Sequence, residues 1–316
     1  MAEKNKELWG SVKSAFSSHF CFLKLATICL AGLLISCQNS NQNGGQMNSN
    51  TQTNTATSAN QNSAERQTTV KGEYASVNGL KMYYEIHGTG RPLVLLHGSF
   101  MSAIFYPALA EGRQVMTVDL QGHGRTADID RPFTFEQMAD DVAALLKQLK
   151  IEQADIFGYS MGGTVGLALT IRHPELVRRL AIFGSPYRPI EEAWSPDMIK
   201  GWNEITPENF APEDLKVPYE KMSPAPNWKG LVAKILQMEK DFKGFSKEQM
   251  RAIKAEVFIG AGDRNDASPE HLAEMHSLIP KSQLAIFPNT EHIVLMTNPD
   301  RVLPQIKEFL NAEEKK

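Results

Sequence analysis

Gly158-Tyr159-Ser160-Met161-Gly162-Gly163 lies between two apolar runs of different length and character. Before it, Ala154-Asp155-Ile156-Phe157 has the length of a buried strand. After it, Thr164 to Ile171 reads as a buried helix that stops at His173-Pro174. The order strand, Gly-x-Ser-x-Gly, helix puts a serine on a sharp turn, its hydroxyl raised above a sheet and its glycines letting chain and helix approach closely. The pattern alone says little, because short matches arise by chance. Its flanks make Ser160 a candidate nucleophile.

Outward from this turn, strands alternate with helices. Leu93-Val94-Leu95-Leu96 is a continuous apolar strand ending at His97-Gly98-Ser99-Phe100. Gln114 to Val118 is a second, ending at Asp119-Leu120-Gln121-Gly122-His123-Gly124-Arg125-Thr126. Phe135, Met138, Val142, Leu145, Leu146 and Leu149 recur on one helical face, and Leu180 to Phe183 gives a further strand. Upstream, two strand-like runs flank Asn78-Gly79, a strong hairpin signal. Downstream come Val257-Phe258-Ile259, Leu284 to Phe287 and an amphipathic helix over Arg301 to Leu310. The pattern predicts an α/β fold with a mostly parallel, doubly wound sheet and a site at the carboxyl ends of its strands. Between Pro186 and about Gln249, prolines break up short helical pieces carrying Trp194, Trp202, Phe210, Tyr219 and Trp228. This segment reads as an inserted helical cap whose aromatics mostly form its own small core.

The amino-terminal part is of another kind. Residues 1–24 are polar, Leu25 to Ile35 is an uncharged apolar run too short to span a bilayer comfortably, and Leu34-Ile35-Ser36-Cys37 follows. Residues 1–37 resemble a bacterial lipoprotein signal. The resemblance implies lipid on the Cys37 sulfur, a membrane contact through it and a place in the cell envelope. Residues 38–71, rich in Asn, Gln, Ser and Thr, bury too little to fold and read as a tether. All three cysteines, Cys21, Cys29 and Cys37, fall in the leader, so the domain expected over 72–316 has no disulfide, thiolate metal site or cysteine nucleophile. A net charge of −3 argues against nucleic acid as a partner.

His97-Gly98, Asp119 with Gly122-His123-Gly124, the Ser160 turn, Gly262-Asp263 and Glu291-His292 occur in the order and context of the α/β-hydrolase superfamily, which the chain resembles over essentially all of 72–312. The resemblance implies an α/β-hydrolase fold and places the general base at His292, in the chain order serine, acid, histidine. It gives His97 a supporting role in the oxyanion loop, and it assigns the oxyanion to the backbone N–H groups of Ser99 and Met161, with Phe100 the alternative to Ser99. His87, His123, His173 and His271 sit in turns or on helices and read as structural.

The acid stays open. Gly260-Ala261-Gly262-Asp263-Arg264-Asn265-Asp266 follows the strand where it belongs, and an ungapped alignment puts Asn265 at its usual position. An amide cannot carry the charge, so either Asp263 or Asp266 supplies it, the expectation divided evenly between them, or the site runs with an amide and is impaired. The function expected is a serine hydrolase acting on a small-molecule acyl substrate such as a carboxylic ester, through an acyl-enzyme, with no cofactor or metal implied. The alternatives are a carbon–carbon bond hydrolase, a non-hydrolytic relative such as a hydroxynitrile lyase or cofactor-free peroxidase, and a ligand-binding lipoprotein with little catalysis.

Overall fold

The computed structural model describes residues 72–264 and 266–313. The expected signal segment, the tether, Cys37 and Asn265 lie outside the described residues.

Leu80, Met82 and Tyr84 alternate inward along β2 (Leu80–His87), which forms a hairpin with β1 (Glu73–Val77) across Asn78-Gly79. Both turn residues have positive φ, 47° and 80°, as a tight two-residue hairpin connection demands. β3 (Arg91–Leu96), β4 (Arg113–Val118), β5 (Ala154–Tyr159), β6 (Val177–Phe183), β7 (Glu256–Arg264) and β8 (Ser282–Glu291) complete an eight-stranded sheet of order β1-β2-β4-β3-β5-β6-β7-β8. The pairs from β4 to β8 are parallel; β1 and β2 form an antiparallel margin. The central strands are buried on both faces, which is why they read as unbroken apolar runs rather than alternating ones.

Helix α1 (Phe135–Gln148) carries the apolar face predicted for it and starts at Thr134, whose side chain accepts the Gln137 N–H. Helix α2 (Met161–Arg172) is buried almost all round. β3 has β4 on one side and β5 on the other, so the chain reverses its direction across the sheet there. The crevice at the carboxyl ends of β3 and β5 is where such a sheet accepts a ligand.

Five helices lie between β6 and β7: α3 (Ile190–Ala193), α4 (Pro196–Asn203), α5 (Glu213–Met222), α6 (Trp228–Asp241) and α7 (Lys247–Arg251). They are the predicted cap. Its aromatics do pack on one another, with Tyr219 and Phe210 against Trp228, but the cluster also takes in Phe100 from the loop after β3. After β7 follow α8 (Pro269–Leu278), β8, the short α9 (Val294–Thr297) and α10 (Leu303–Asn311). Two boundaries move from expectation. The last strand runs on to Glu291 rather than stopping near Phe287, and the final helix begins at Leu303, preceded by a single turn at Pro299–Arg301. Among the described residues no helix is long and apolar enough to cross a membrane.

Candidate active site

β5 ends at Tyr159 and α2 begins at Met161, leaving Ser160 alone in the turn with φ 54° and ψ −123°. A side chain at positive φ is strained, and the surroundings hold it there. The Ser160 N–H donates to the Phe183 carbonyl at 2.9 Å. The Ser160 carbonyl accepts from the N–H groups of Gly163 and Thr164 and from the Ser185 hydroxyl at 2.8 Å. The flanking glycines answer to contact: a Cβ on Gly158 would lie 2.3 Å from the Gly162 carbonyl oxygen, and one on Gly162 would lie 2.3 Å from that of Leu96. The motif thus lets α2 start directly against the strands and lift the serine hydroxyl over their ends.

His292 follows β8 immediately. Its Nε2 is 3.0 Å from Ser160 Oγ, across 132 positions of sequence. Its Nδ1 is 3.6 Å from Asp266 Oδ2, with both side chains 18% exposed. With Nε2 accepting from the serine, the ring proton sits on Nδ1 and faces the carboxylate.

The two aspartates that share the expectation face different neighbours. Asp263 turns the other way: its Oδ1 accepts the Thr290 N–H at 3.0 Å. That bond and one from the Asn289 amide hold its carboxyl below the usual carboxylate range. Asp263 therefore braces the end of β8, which presents His292, while Asp266 faces the imidazole.

Ser99 and Phe100 form the turn after β3, with Phe100 at φ 64° and its ring 4.8 Å from Phe210 and 5.7 Å from Trp228 of the cap. Met161 is the first residue of α2, so its N–H has no acceptor within the helix and is directed, with the helix dipole, toward the turn. Behind the loop, the fully buried Asp119 accepts from the N–H groups of Ala103 and Arg125, tying the loop after β3 to the Gly122-His123-Gly124 turn. His97 donates from Nδ1 to the Gly98 carbonyl at 2.8 Å and accepts the Leu120 N–H at Nε2, in the supporting place expected of it. Burial pushes its pKa down and that of His123 down to about 3, so both stay neutral props.

The remaining histidines among the described residues have local partners. His87 pairs with Glu85 at the end of β2, His173 with Asp140, and His276 with the Ser282 hydroxyl, while His271 stacks on Tyr187. Sequence reasoning missed two contributors to the site. Ser185 pins the nucleophile's carbonyl. Tyr159 donates its hydroxyl to the His292 carbonyl. A hydroxyl beside a strand end was the sole signal for either.

The alpha/beta hydrolase family model matches residues 93–305. Among curated relatives, 2-hydroxymuconate semialdehyde hydrolase of Pseudomonas sp. (strain CF600) is 35% identical over 133 residues, 40% of this chain and 47% of that protein, so this match spans about half the length of the relative. The 2-hydroxy-6-oxo-2,4-heptadienoate hydrolase of Pseudomonas putida (strain F1) is 26% identical over 77% of this chain and 97% of its own length. Of solved structures, a meta-cleavage product hydrolase from Pseudomonas fluorescens IP01 superposes with a TM-score of 0.65 at 22% identity, covering 76% of this chain and 97% of that one. A thermophilic esterase from Thermogutta terrifontis gives 0.60 at 24% identity over 76% of this chain and 97% of its own. At such identities the structural likeness speaks for the fold. With the family match spanning well over half of its residues, the chain belongs to the alpha/beta hydrolase family.

Proposed function

We propose that the protein is a serine hydrolase that cleaves a small carboxylic ester or related acyl substrate through an acyl-enzyme on Ser160. The observation that carries this reading is the 3.0 Å approach of His292 Nε2 to the hydroxyl of a serine held at positive φ on a strand-to-helix turn. A serine hydroxyl is a weak nucleophile until a base takes its proton. In the proposed course, His292 Nε2 takes the Ser160 proton as Oγ bonds to the substrate carbonyl carbon. The amides of Ser99 and Met161 hold the resulting oxyanion, and Asp266 stabilises the imidazolium. The intermediate then collapses: the bond from carbonyl carbon to the leaving alcohol oxygen breaks, and His292 returns the proton to that oxygen. Water, deprotonated in turn by His292, releases the acid and restores the serine.

The test is labelling by a fluorophosphonate together with turnover of p-nitrophenyl esters of graded chain length. Both are expected of the native protein and both are expected to vanish in Ser160→Ala. Labelling that survives the substitution would place the nucleophile elsewhere.

A second reading, hydrolysis of a carbon–carbon bond in a β-diketone-like substrate, draws support from relatives named for 2-hydroxymuconate semialdehyde and 2-hydroxy-6-oxo-2,4-heptadienoate, which are oxo compounds and not esters. It uses the same serine and histidine, so a substrate panel containing both classes separates the two. For location, the proposal is export and anchoring to the envelope by lipid on Cys37, supported by the apolar run ending at Ser36-Cys37. Replacement Cys37→Ala is expected to move the protein out of the membrane fraction or leave it unprocessed. An unchanged distribution would end the lipid-anchor reading.

A further inference from the structure

We infer that Tyr159 is the positioning residue for the base: the side chain just before the nucleophile holds the backbone of His292 and so fixes the imidazole against Ser160. The inference rests on the reading of Ser160 and His292 as nucleophile and base.

Tyr159 closes β5 and is 3% exposed. Its Oη donates to the His292 carbonyl oxygen at 2.9 Å, joining residues 133 positions apart. Its ring also lies beside the imidazole, with centroids 5.2 Å apart and planes inclined by 30°. On its other side the ring meets the oxyanion loop: a Cβ built on Gly98 would be 3.3 Å from Tyr159 Cδ1 and 3.3 Å from Ser160 Cβ. One side chain therefore adjoins the nucleophile by a peptide bond, the base by a hydrogen bond and a ring contact, and the loop carrying Ser99 by packing.

The base needs such a hold. His292 lies just past β8, the outermost strand of the parallel side of the sheet, where Asp263 accepts the N–H of Thr290 two positions before it. A small rotation of the His292 backbone swings Nε2 at the far end of the ring, and misplacing a reacting group by about 1 Å can cost on the order of 100-fold in rate. A buried tyrosine hydroxyl usually finds a partner, and here the partner is the base's own carbonyl. Burial raises the phenol pKa well above its usual value, so Tyr159 keeps its proton and remains a donor.

The experiment is Tyr159→Phe in the full chain, which keeps the ring and removes only the donor. Three quantities are measured: kcat and KM on p-nitrophenyl acetate, the second-order rate of fluorophosphonate labelling, and the melting temperature. The expected result is a fall of about tenfold in kcat, equivalent to about 1.4 kcal/mol, and a parallel fall in labelling rate. KM is expected to be unchanged and melting to shift by only a few degrees. The labelling rate reports on the site even where ester turnover is slow. Native kcat and native labelling in Tyr159→Phe would overturn the inference. So would a loss that tracks a large drop in melting temperature and disappears on cooling, since that marks a purely structural tyrosine. Labelling that persists in Ser160→Ala is a different failure, of the nucleophile reading itself, and is told apart by that variant alone.

Discussion

At the scale of single residues, Asp263 and Asp266 stand three positions apart and do different work. Asp266 Oδ2 faces His292 Nδ1 at 3.6 Å, and Asp263 holds the Thr290 N–H at 3.0 Å. Losing the carboxylate that orients and stabilises the imidazolium removes orders of magnitude in related arrangements. Replacement Asp266→Asn is therefore expected to lower kcat by about 100-fold or more, while Asp263→Asn costs only a few-fold, through a looser end of β8. Steady-state kinetics of the two variants on one p-nitrophenyl ester checks this, and a larger loss for Asp263→Asn would reverse the assignment. The sequence carried Ser160 and His292 because each follows a strand it can be counted from. It could not choose between the aspartates, because the choice depends on which way the chain turns after β7. Asp263's own bonds run to Asn289 and Thr290 of β8, a pairing that no local pattern records.

At the scale of elements, the cap was legible from its prolines and its broken helical pieces, but its seating was not. Phe100 looked like a loop residue, yet its ring joins Phe210 and Trp228, so the cap and the oxyanion loop share one aromatic cluster. Helix α6 carries a second feature hidden from periodicity. Its buried stripe of Trp228, Val232, Ile235 and Met238 also includes Glu239, 8% exposed. Burial first, and the nearby Glu191 carboxylate second, push the Glu239 pKa up to about 8. The sign follows from the raised value. The folded protein holds this proton up to about pH 8, whereas the unfolded chain releases it near the ordinary glutamate value of 4.5. The stability it allows is thus complete below that lower value and is lost as pH climbs toward 8. Glu239→Gln, which has no proton to lose, is expected to match the native protein in stability at pH 4.5 and to exceed it progressively up to pH 9, by a few kcal/mol at most, with the melting temperature rising accordingly. Melting curves across that range decide it, and parallel curves for the two proteins would mean that Glu239 is solvated.

At the scale of the whole molecule, the two ends of the sheet divide the labour between chemistry and cohesion. Ser160, His292 and Asp266 gather at the carboxyl ends of the strands. At the amino ends, Arg113 and Arg178 both reach the fully buried Asp155 at 2.7 Å, and Arg179 reaches Glu256 at 2.8 Å. The same arginines donate to the carbonyls of Leu310 and Ala312, so the positive groups also satisfy the last turn of α10 and bind the final helix to β4 and β6. The alternation of strands and helices made the sheet readable from sequence. This network was not, since its members are scattered over residues 113 to 312 and belong to no motif. Removing Asp155 takes from the buried Arg113 guanidinium its ion-pair carboxylate, a loss that typically costs about 3–5 kcal/mol. Asp155→Ala is accordingly expected to lower the melting temperature by about 10 °C. Asp155 is separated from Ser160 by most of β5, roughly 16 Å along an extended strand. Below its lowered transition the variant is therefore expected to keep native kcat and KM. Calorimetry paired with kinetics at low temperature checks both halves. A variant that melted normally would show Asp155 to be dispensable to cohesion, and one that lost turnover while still folded would show that the amino ends of the strands reach the chemistry after all.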